Sequence, residues 1–316
     1  MGNQKLAFQF PGQGSQKVGM LANMAQQYPV VEETFAEASE CLGYDMWQLI
    51  QGGPQEALNL TEKTQPMLLS AGVALWRVWG QRGGTQPGVL AGHSLGEFTA
   101  LVCAGTIDFT DAVKLVQQRG AFMQTAVPVG EGAMAAIIGL DDDAINKACE
   151  GAAQGDCVAA VNYNSPGQVV IAGHVAAVER AIEACKAAGA KRALPLPVSA
   201  PFHTELMRPA GEQLADVIAG LTFNAPTIPV VHNVNGRTES DPAKIKALLV
   251  EQIYSPVKWV SCMQTMLAQG VEVAIECGPG NVLSGLGRRI HKPLAVAGLE
   301  EPEGLEKALG LASELN

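Results

Sequence analysis

The segment GVLAGHSLGEFTALVCA, residues 88–104, has a short apolar run, a glycine-rich turn and then a longer apolar run. Gly88–Gly92 predicts a buried β-strand, and Glu97–Ala104 predicts a helix. Between them, Gly92–Gly96 fits the pattern G-x-S-x-G, which forms a sharp nucleophile elbow when it joins a strand to a helix. The segment therefore predicts an α/β fold in which the hydroxyl of Ser94 is presented at the end of a strand.

The composition is that of a folded, acidic protein. Its 316 residues are 47% hydrophobic and 16% charged, which excludes intrinsic disorder and allows two domains, or one domain with an insertion. The net charge of −10 predicts no nucleic-acid partner, because polyanion binding requires a basic surface. Apolar runs end well short of a membrane span and the N-terminus has no signal-peptide pattern, so we expect no membrane association.

The cysteines show no sign of a disulfide framework or a metal site. There are seven of them, none in a CxxC pair, and most lie in apolar runs. This pattern predicts reduced, buried thiols and a cytoplasmic location. No spacing of cysteine or histidine matches a metal site, so we expect no metal ion.

Residues 129–198 differ from their surroundings in the predicted order of elements. Strands are predicted at 133–140, 157–161, 168–172 and 193–196, and helices at 141–149 and 175–188. This β-α-β-β-α-β order is that of a ferredoxin-like unit. The flanking segments, 1–128 and 199–316, predict one large α/β-hydrolase-like catalytic domain with a parallel sheet core. Within them, helices are predicted at 20–43, 65–82, 109–126, 205–220, 241–252, 257–269 and 302–313, and strands at 6–10, 88–92, 228–231 and 271–276.

A serine hydroxyl is a weak nucleophile and requires a base. His203 lies where the chain returns from the inserted unit to the large domain, and such junctions line clefts. His232, at the end of a predicted strand, is the alternative. No acidic residue between Ser94 and His203 stands at a strand end, which disfavours the usual serine, acid and histidine triad of α/β-hydrolases. A backbone carbonyl can orient the imidazole instead.

Five short motifs occur in a specific order along the chain. They are FPGQGSQ at 10–16, GHSLGE at 92–97, QRG at 118–120, PFH at 201–203 and ECGPG at 276–280. Together they resemble the malonyl-CoA:acyl-carrier-protein transacylases of type II fatty acid synthesis, over the whole chain. The resemblance implies an acyltransferase that moves a malonyl group from malonyl-CoA to holo-acyl carrier protein through a malonyl-serine. It implies no metal or redox cofactor.

The resemblance also implies roles for individual residues. Ser94 matches the nucleophile and His203 the general base. Arg119 matches the residue that pairs with the free malonyl carboxylate. Gln13 and the backbone N–H of Leu95 match the oxyanion hole. The backbone carbonyl of Gln252 matches the group that orients the histidine, so its side chain is predicted to have no catalytic part.

Two further residues are expected to shape the acyl pocket. Met123 lies on the same predicted helix as Arg119, and Phe202 precedes the base. In related acyltransferase domains a phenylalanine before this histidine accompanies malonyl specificity, since its bulk crowds an α-methyl group. A guanidinium facing this pocket would offer a carboxylate a planar pair of donors that lysine lacks.

The residues leave two alternative functions open. One is a serine esterase or thioesterase on a related scaffold, and the other is a non-catalytic module that docks carrier proteins. Because carrier proteins are acidic, docking onto this acidic chain requires a local basic patch. The candidates are Lys191–Arg192 and the group Arg288, Arg289 and Lys292.

Overall fold

The computed structural model describes residues 2–198 and 200–315. Within these ranges the strands are β1 (Asn3–Phe10), β2 (Pro87–Gly92), β3 (Gly132–Ile138), β4 (Val158–Ser165), β5 (Gln168–His174), β6 (Arg192–Pro195), β7 (Val230–Val231), β8 (Val273–Glu276) and β9 (Ala295–Gly298). They form two separate sheets. The α/β class predicted from the sequence is therefore confirmed.

The helices pack around these sheets. They are α1 (Ala22–Gln27), α2 (Val30–Leu42), α3 (Met46–Gly52), α4 (Gln55–Leu58), α5 (Thr61–Gln81), α6 (Leu95–Cys103), α7 (Phe109–Thr125), α8 (Asp142–Ala153), α9 (Val175–Ala187), α10 (Arg208–Ala219), α11 (Pro242–Ile253), α12 (Trp259–Ala268), α13 (Val282–Ile290) and α14 (Pro302–Ser313). A short 3₁₀ turn, Glu205–Met207, precedes α10. No helix in the described ranges is long and apolar enough to cross a membrane.

The larger sheet has five strands in the order β7-β2-β1-β8-β9, and every neighbouring pair is parallel. Every residue of β2 is buried, as expected for a central strand whose two faces are both covered by helices. Because the strands are parallel, the loops that follow β1, β2 and β7 leave the sheet at the same edge. Ligands bind at this carboxyl edge in open α/β sheets.

The smaller sheet has the antiparallel order β4-β5-β3-β6. With α8 and α9 it reproduces the β-α-β-β-α-β order predicted from the sequence. Its apolar residues form a core of their own, which includes Ile137, Ile145, Ile171 and Ile182. The predicted domain boundary at residue 199 lies outside the described residues, so the domain limits stay a prediction.

Several predicted elements were wrong in extent. The helix expected over 20–43 is two helices, because Tyr28 precedes Pro29 and adopts the extended backbone that a following proline favours. The strand expected over 228–231 begins only at Val230, since Pro229 has no N–H to give to a ladder. The sequence also missed β9, α3 and α4, which are all short.

Candidate active site

Ser94 lies at the sharp turn between β2 and α6. Its backbone has φ 51° and ψ −110°, a strained conformation outside the usual regions for a non-glycine residue. A Cβ on Gly92 would overlap the backbone of Gly96, and a Cβ on Gly96 would overlap the carbonyl of Phe10. Glycine is therefore required on both sides of the serine, which explains the G-x-S-x-G spacing.

The hydroxyl of Ser94 contacts His203. Ser94 Oγ lies 2.8 Å from His203 Nε2, and His203 Nδ1 lies 2.8 Å from the backbone carbonyl oxygen of Gln252. Because a carbonyl can only accept, Nδ1 carries the ring proton and Nε2 is left free to accept the proton of Ser94. His203 is buried and has a positive φ of 64°, so the surrounding structure fixes its orientation.

The environment keeps His203 neutral. Burial, and next the positive charge of Arg119, lower the pKa of His203 from its usual value to about 3. A neutral imidazole is the form that acts as a base. The base is therefore ready in the free protein at physiological pH.

This low pKa predicts an unusual pH dependence. Since His203 charges only near its folded pKa of about 3, we expect kcat/KM for acylation of the free protein to stay level between about pH 8 and 5. The measurement is stopped-flow acylation across that range. A decline centred near the ordinary histidine pKa of about 6.5 would contradict this account.

Arg119, on α7, is fully buried beside the serine. Its Nη1 donates to Gln65 Oε1 at 2.8 Å, and its Nη2 donates to Gln252 Oε1 at 2.8 Å and to Ser94 Oγ at 3.1 Å. None of these acceptors carries a charge. Burial lowers the pKa of Arg119 to about 9, against the opposing effect of the negative charge of Glu97. The site therefore holds a cation whose direct partners are neutral oxygens, and such a cation can accept an anionic ligand.

The side chain of Gln252, which was predicted to have no part in the site, makes several hydrogen bonds there. Besides its contact with Arg119, its Nε2 donates to the carbonyl oxygen of Ser94 at 3.0 Å and to Glu97 Oε2 at 2.9 Å. One signal could have indicated this. Gln252 follows Ile245 and Leu249 at helical spacing, so it belongs to the buried face of α11.

The other predicted site residues border the same place. A Cβ on Gly12 would lie 2.6 Å from the carbonyl oxygen of His93, so the loop after β1 packs against the elbow. Gln13 in that loop accepts a hydrogen bond from Gln65 Nε2 at 3.3 Å. Leu95 is the first residue of α6, where backbone N–H groups have no acceptor within the helix.

Met123 and Phe202, the two predicted pocket residues, are both buried. Met123 Sδ lies 3.9 Å from Gln65 Nε2, which places this methionine near Arg119. Gln65 thus connects Gln13, Met123 and Arg119, and no motif in the sequence indicated this residue. No spacing in the sequence relates α5 to these residues.

The alternative base, His232, contacts a different partner. Its Nδ1 lies 2.7 Å from Glu97 Oε1, and both side chains are fully buried. His93, next to the serine, instead lies with Nε2 2.8 Å from Asn164 Oδ1 in β4. Of the two histidines that the sequence left as candidates, His203 is therefore the one whose ring contacts Ser94.

The seven cysteines are all free thiols, as predicted, but the prediction that they are buried was wrong for three of them. Cys41, Cys103 and Cys157 are only partly buried.

Comparison with known proteins defines the class. The model of the acyl transferase domain family matches residues 7–302. The malonyl CoA-acyl carrier protein transacylase of Escherichia coli (strain K12) is 62% identical over 307 residues, which cover 97% of this chain and 99% of the relative. The protein of the same name from Bacillus subtilis (strain 168) is 44% identical, with 99% of this chain and 98% of the relative covered.

Solved structures of similarly named proteins have the same fold as this chain. The acyl carrier protein S-malonyltransferase of Vibrio cholerae superposes with a TM-score of 0.94 at 62% identity, covering 96% of this chain and 99% of that one. A malonyl-transacylase in complex with its type II PKS acyl-carrier protein gives a TM-score of 0.96 at 55% identity, with 97% and 99% covered. The chain belongs to the malonyl CoA-acyl carrier protein transacylase family, which confirms the resemblance drawn from the five motifs.

Proposed function

We propose that this protein transfers a malonyl group from malonyl-CoA to the phosphopantetheine thiol of holo-acyl carrier protein, through an ester on Ser94. One observation carries the proposal: Ser94 Oγ contacts both His203 Nε2, at 2.8 Å, and the guanidinium of Arg119, at 3.1 Å. A nucleophile with its base thus lies beside a buried cation without a charged direct partner. Malonyl thioesters combine a reactive carbonyl with a carboxylate, which matches these two features.

The first half of the reaction forms the ester. Ser94 Oγ attacks the thioester carbonyl while His203 Nε2 takes its proton, and the Gln252 carbonyl stabilises the resulting imidazolium through Nδ1–H. Gln13 and the N–H of Leu95 hold the oxyanion at the N-terminus of α6. The carbon–sulfur bond then breaks, and His203 returns the proton to the CoA thiolate.

The second half reverses these steps with a new thiol. The phosphopantetheine thiol gives its proton to His203 and attacks the malonyl ester, and the imidazolium then protonates Ser94 Oγ as the carbon–oxygen bond breaks. Every proton and electron pair is carried by Ser94, His203 and the two thiols, so the proposal includes no metal or redox cofactor. We further propose that the reaction supplies malonyl units for fatty acid biosynthesis and takes place in the cytoplasm. The seven free thiols support the cytoplasmic location, because thiols stay reduced there.

The acyl group is selected by charge and by size. Arg119 pairs with the malonyl carboxylate as a planar two-donor partner. An acyl group without a carboxylate would leave this buried cation unpaired, and such mismatches are strongly rejected. Phe202 and Met123 bound the space near the α-carbon and disfavour bulkier groups.

The test is to follow malonyl-CoA with and without holo-acyl carrier protein. We expect malonyl-carrier protein to form rapidly and free malonate to form slowly when no carrier protein is present. Rapid hydrolysis without carrier protein would favour the esterase or thioesterase alternative. Carrier-protein binding without any acylation of the chain would favour the docking module.

Replacing Gln252 with alanine tests its side chain separately from its backbone. The carbonyl that orients His203 remains, while the contacts of the amide with Arg119 and with the Ser94 carbonyl are lost. We expect kcat/KM for malonyl-CoA to fall by about one to two orders of magnitude, since the lost buried hydrogen bond to the charged Arg119 is worth about 1.5–3 kcal/mol. Steady-state kinetics measure this, and a loss as complete as that of Ser94→Ala would show a further role for the amide.

Carrier-protein docking is predicted at one of two basic clusters. Lys191 directly precedes β6 and Arg192 is its first residue, and both are exposed. Arg288, Arg289 and Lys292 are exposed at the end of α13. Charge reversal at the docking cluster is expected to raise KM for holo-acyl carrier protein severalfold, because the steering attraction is lost. Self-acylation by malonyl-CoA serves as the internal control and is expected to be unchanged. If reversing the charges of neither cluster changes KM for holo-acyl carrier protein, docking occurs elsewhere.

A further inference from the structure

A cluster of fully buried polar side chains lies directly behind the elbow. Its members are Glu97, His232, Asn233 and Gln252, none of which is exposed to solvent. Glu97 Oε2 accepts from the backbone N–H of Asn233 at 2.9 Å and from Gln252 Nε2 at 2.9 Å, while Glu97 Oε1 faces His232 Nδ1 at 2.7 Å. Both carboxylate oxygens are therefore occupied, as a buried charge requires.

This cluster is connected to the reacting groups. The amide of Gln252 stands between the Glu97 carboxylate on one side and Arg119 Nη2 on the other, at 2.9 and 2.8 Å. Asn233 Oδ1 also accepts the backbone N–H of Ser94 at 2.8 Å. A change at Glu97 would thus reach both the arginine and the backbone of the serine without direct contact with a substrate.

Glu97 also supplies the negative charge that acts on Arg119. The direct partners of the guanidinium are neutral oxygens, and the Nε of Arg119 has no hydrogen-bond partner among the described residues. A malonyl carboxylate entering this site would therefore be attracted by Arg119 and repelled by Glu97. Inside a protein both effects are stronger than they would be in water.

We infer that Glu97 is a positioning residue that orients Gln252 and limits how strongly Arg119 attracts the acyl carboxylate. Through these two effects it contributes to the choice between malonyl and acetyl groups. The inference rests on the proposed function, since it concerns the same substrate carboxylate. It adds a residue beneath the site to those that border the substrate.

The variant Glu97→Gln separates charge from shape. Its amide oxygen can accept from both Gln252 and Asn233, as Oε2 does in the wild type. Its NH₂ group would then face His232 Nδ1, which becomes an acceptor when the ring proton moves to Nε2. Nε2 has no partner among the described residues, so this tautomer breaks no existing contact. The variant therefore removes the negative charge and can retain the hydrogen bonds.

The experiment measures self-acylation with malonyl-CoA and with acetyl-CoA. We expect the malonyl-to-acetyl ratio of kcat/KM to rise about tenfold in Glu97→Gln, which is equivalent to about 1.4 kcal/mol. The rise is expected to come from a lower KM for malonyl-CoA. Effects on the oxyanion or on His203 are common to both substrates and cancel in the ratio. A ratio within twofold of the wild-type value, or a lower one, would overturn the inference.

A matched control is Glu276→Gln, which neutralises another fully buried carboxylate. Glu276 accepts the N–H groups of Leu283 and Ser284 and does not contact Gln252. We expect it to lower thermal stability without changing the ratio. If Glu97→Gln fails to fold, the double variant Glu97→Gln/His232→Gln is measured instead. There the amide oxygen of the new side chain at position 232 can accept from the NH₂ group at position 97, and the same rise in the ratio is expected. Failure of wild-type protein to be acylated by malonyl-CoA would instead refute the proposed function.

Discussion

Replacing His203 with alanine is expected to reduce acylation by malonyl-CoA by about 10²- to 10⁴-fold, the contribution typical of a general base. The imidazole is held between Ser94 Oγ and the Gln252 carbonyl at 2.8 Å on each side, and among the described residues it is the base that contacts the serine hydroxyl. Both half-reactions use this group, and transfer to carrier protein should fall with acylation. Single-turnover kinetics with each substrate measure the two losses.

Two other histidines make the test specific. His291 is exposed at the end of α13, and His291→Ala is expected to leave acylation unchanged. His232 contacts Glu97 rather than Ser94, so its replacement is expected to cost less than that of His203. A larger loss from His232→Ala than from His203→Ala would mean that the wrong imidazole has been assigned as the base.

Arg119→Ala is expected to cause a collapse of acyl selectivity. Malonyl and acetyl thioesters share the reacting carbonyl and differ by one carboxylate. Arg119 is proposed to bind this carboxylate. Losing one partner of a fully buried ion pair costs about 3–5 kcal/mol, so kcat/KM for malonyl-CoA should fall by more than about 10²-fold. Acetyl transfer should be unchanged or should rise, because the buried cation that disfavours neutral acyl groups is gone.

The conservative variant and a surface arginine complete this test. Arg119→Lys is expected to recover only part of the selectivity, since an ammonium lacks the planar pair of donors. Arg82, which pairs with Glu306 at the surface, provides a control whose replacement should change neither substrate. The measurement is kcat/KM with both CoA thioesters. If Arg119→Ala lowers both values by the same factor, Arg119 has a structural role and another group reads the carboxylate.

The sequence predicted those parts of the fold that local patterns encode. The segment 88–104 predicted a strand, a turn and a helix because two glycines and two apolar runs are adjacent in the chain. The β-α-β-β-α-β order of the smaller unit was also predicted correctly, because its strands and helices are consecutive in the chain and each has its own local pattern. Strand β9 was not predicted, although the predicted strands β6 and β8 are equally short, with four residues each.

The interior of the site could be predicted only in part. The motifs indicated Ser94, His203 and Arg119 through the family resemblance. Gln65 and the side chain of Gln252 were missed, because their contacts join residues 54 and 133 positions away from them in the chain. Glu97 was noted only as part of the GHSLGE motif, and no role was predicted for it. In the folded protein it is fully buried beneath the site.

The most direct test of the central claim is the mass of the intact protein after mixing with malonyl-CoA, followed by peptide mapping of the adduct. We expect one malonyl group on the wild-type chain, located on Ser94, and none on Ser94→Ala. Addition of holo-acyl carrier protein should then remove the group from the chain and place it on the carrier. An adduct that persists in Ser94→Ala, or that maps to another residue, would contradict the account.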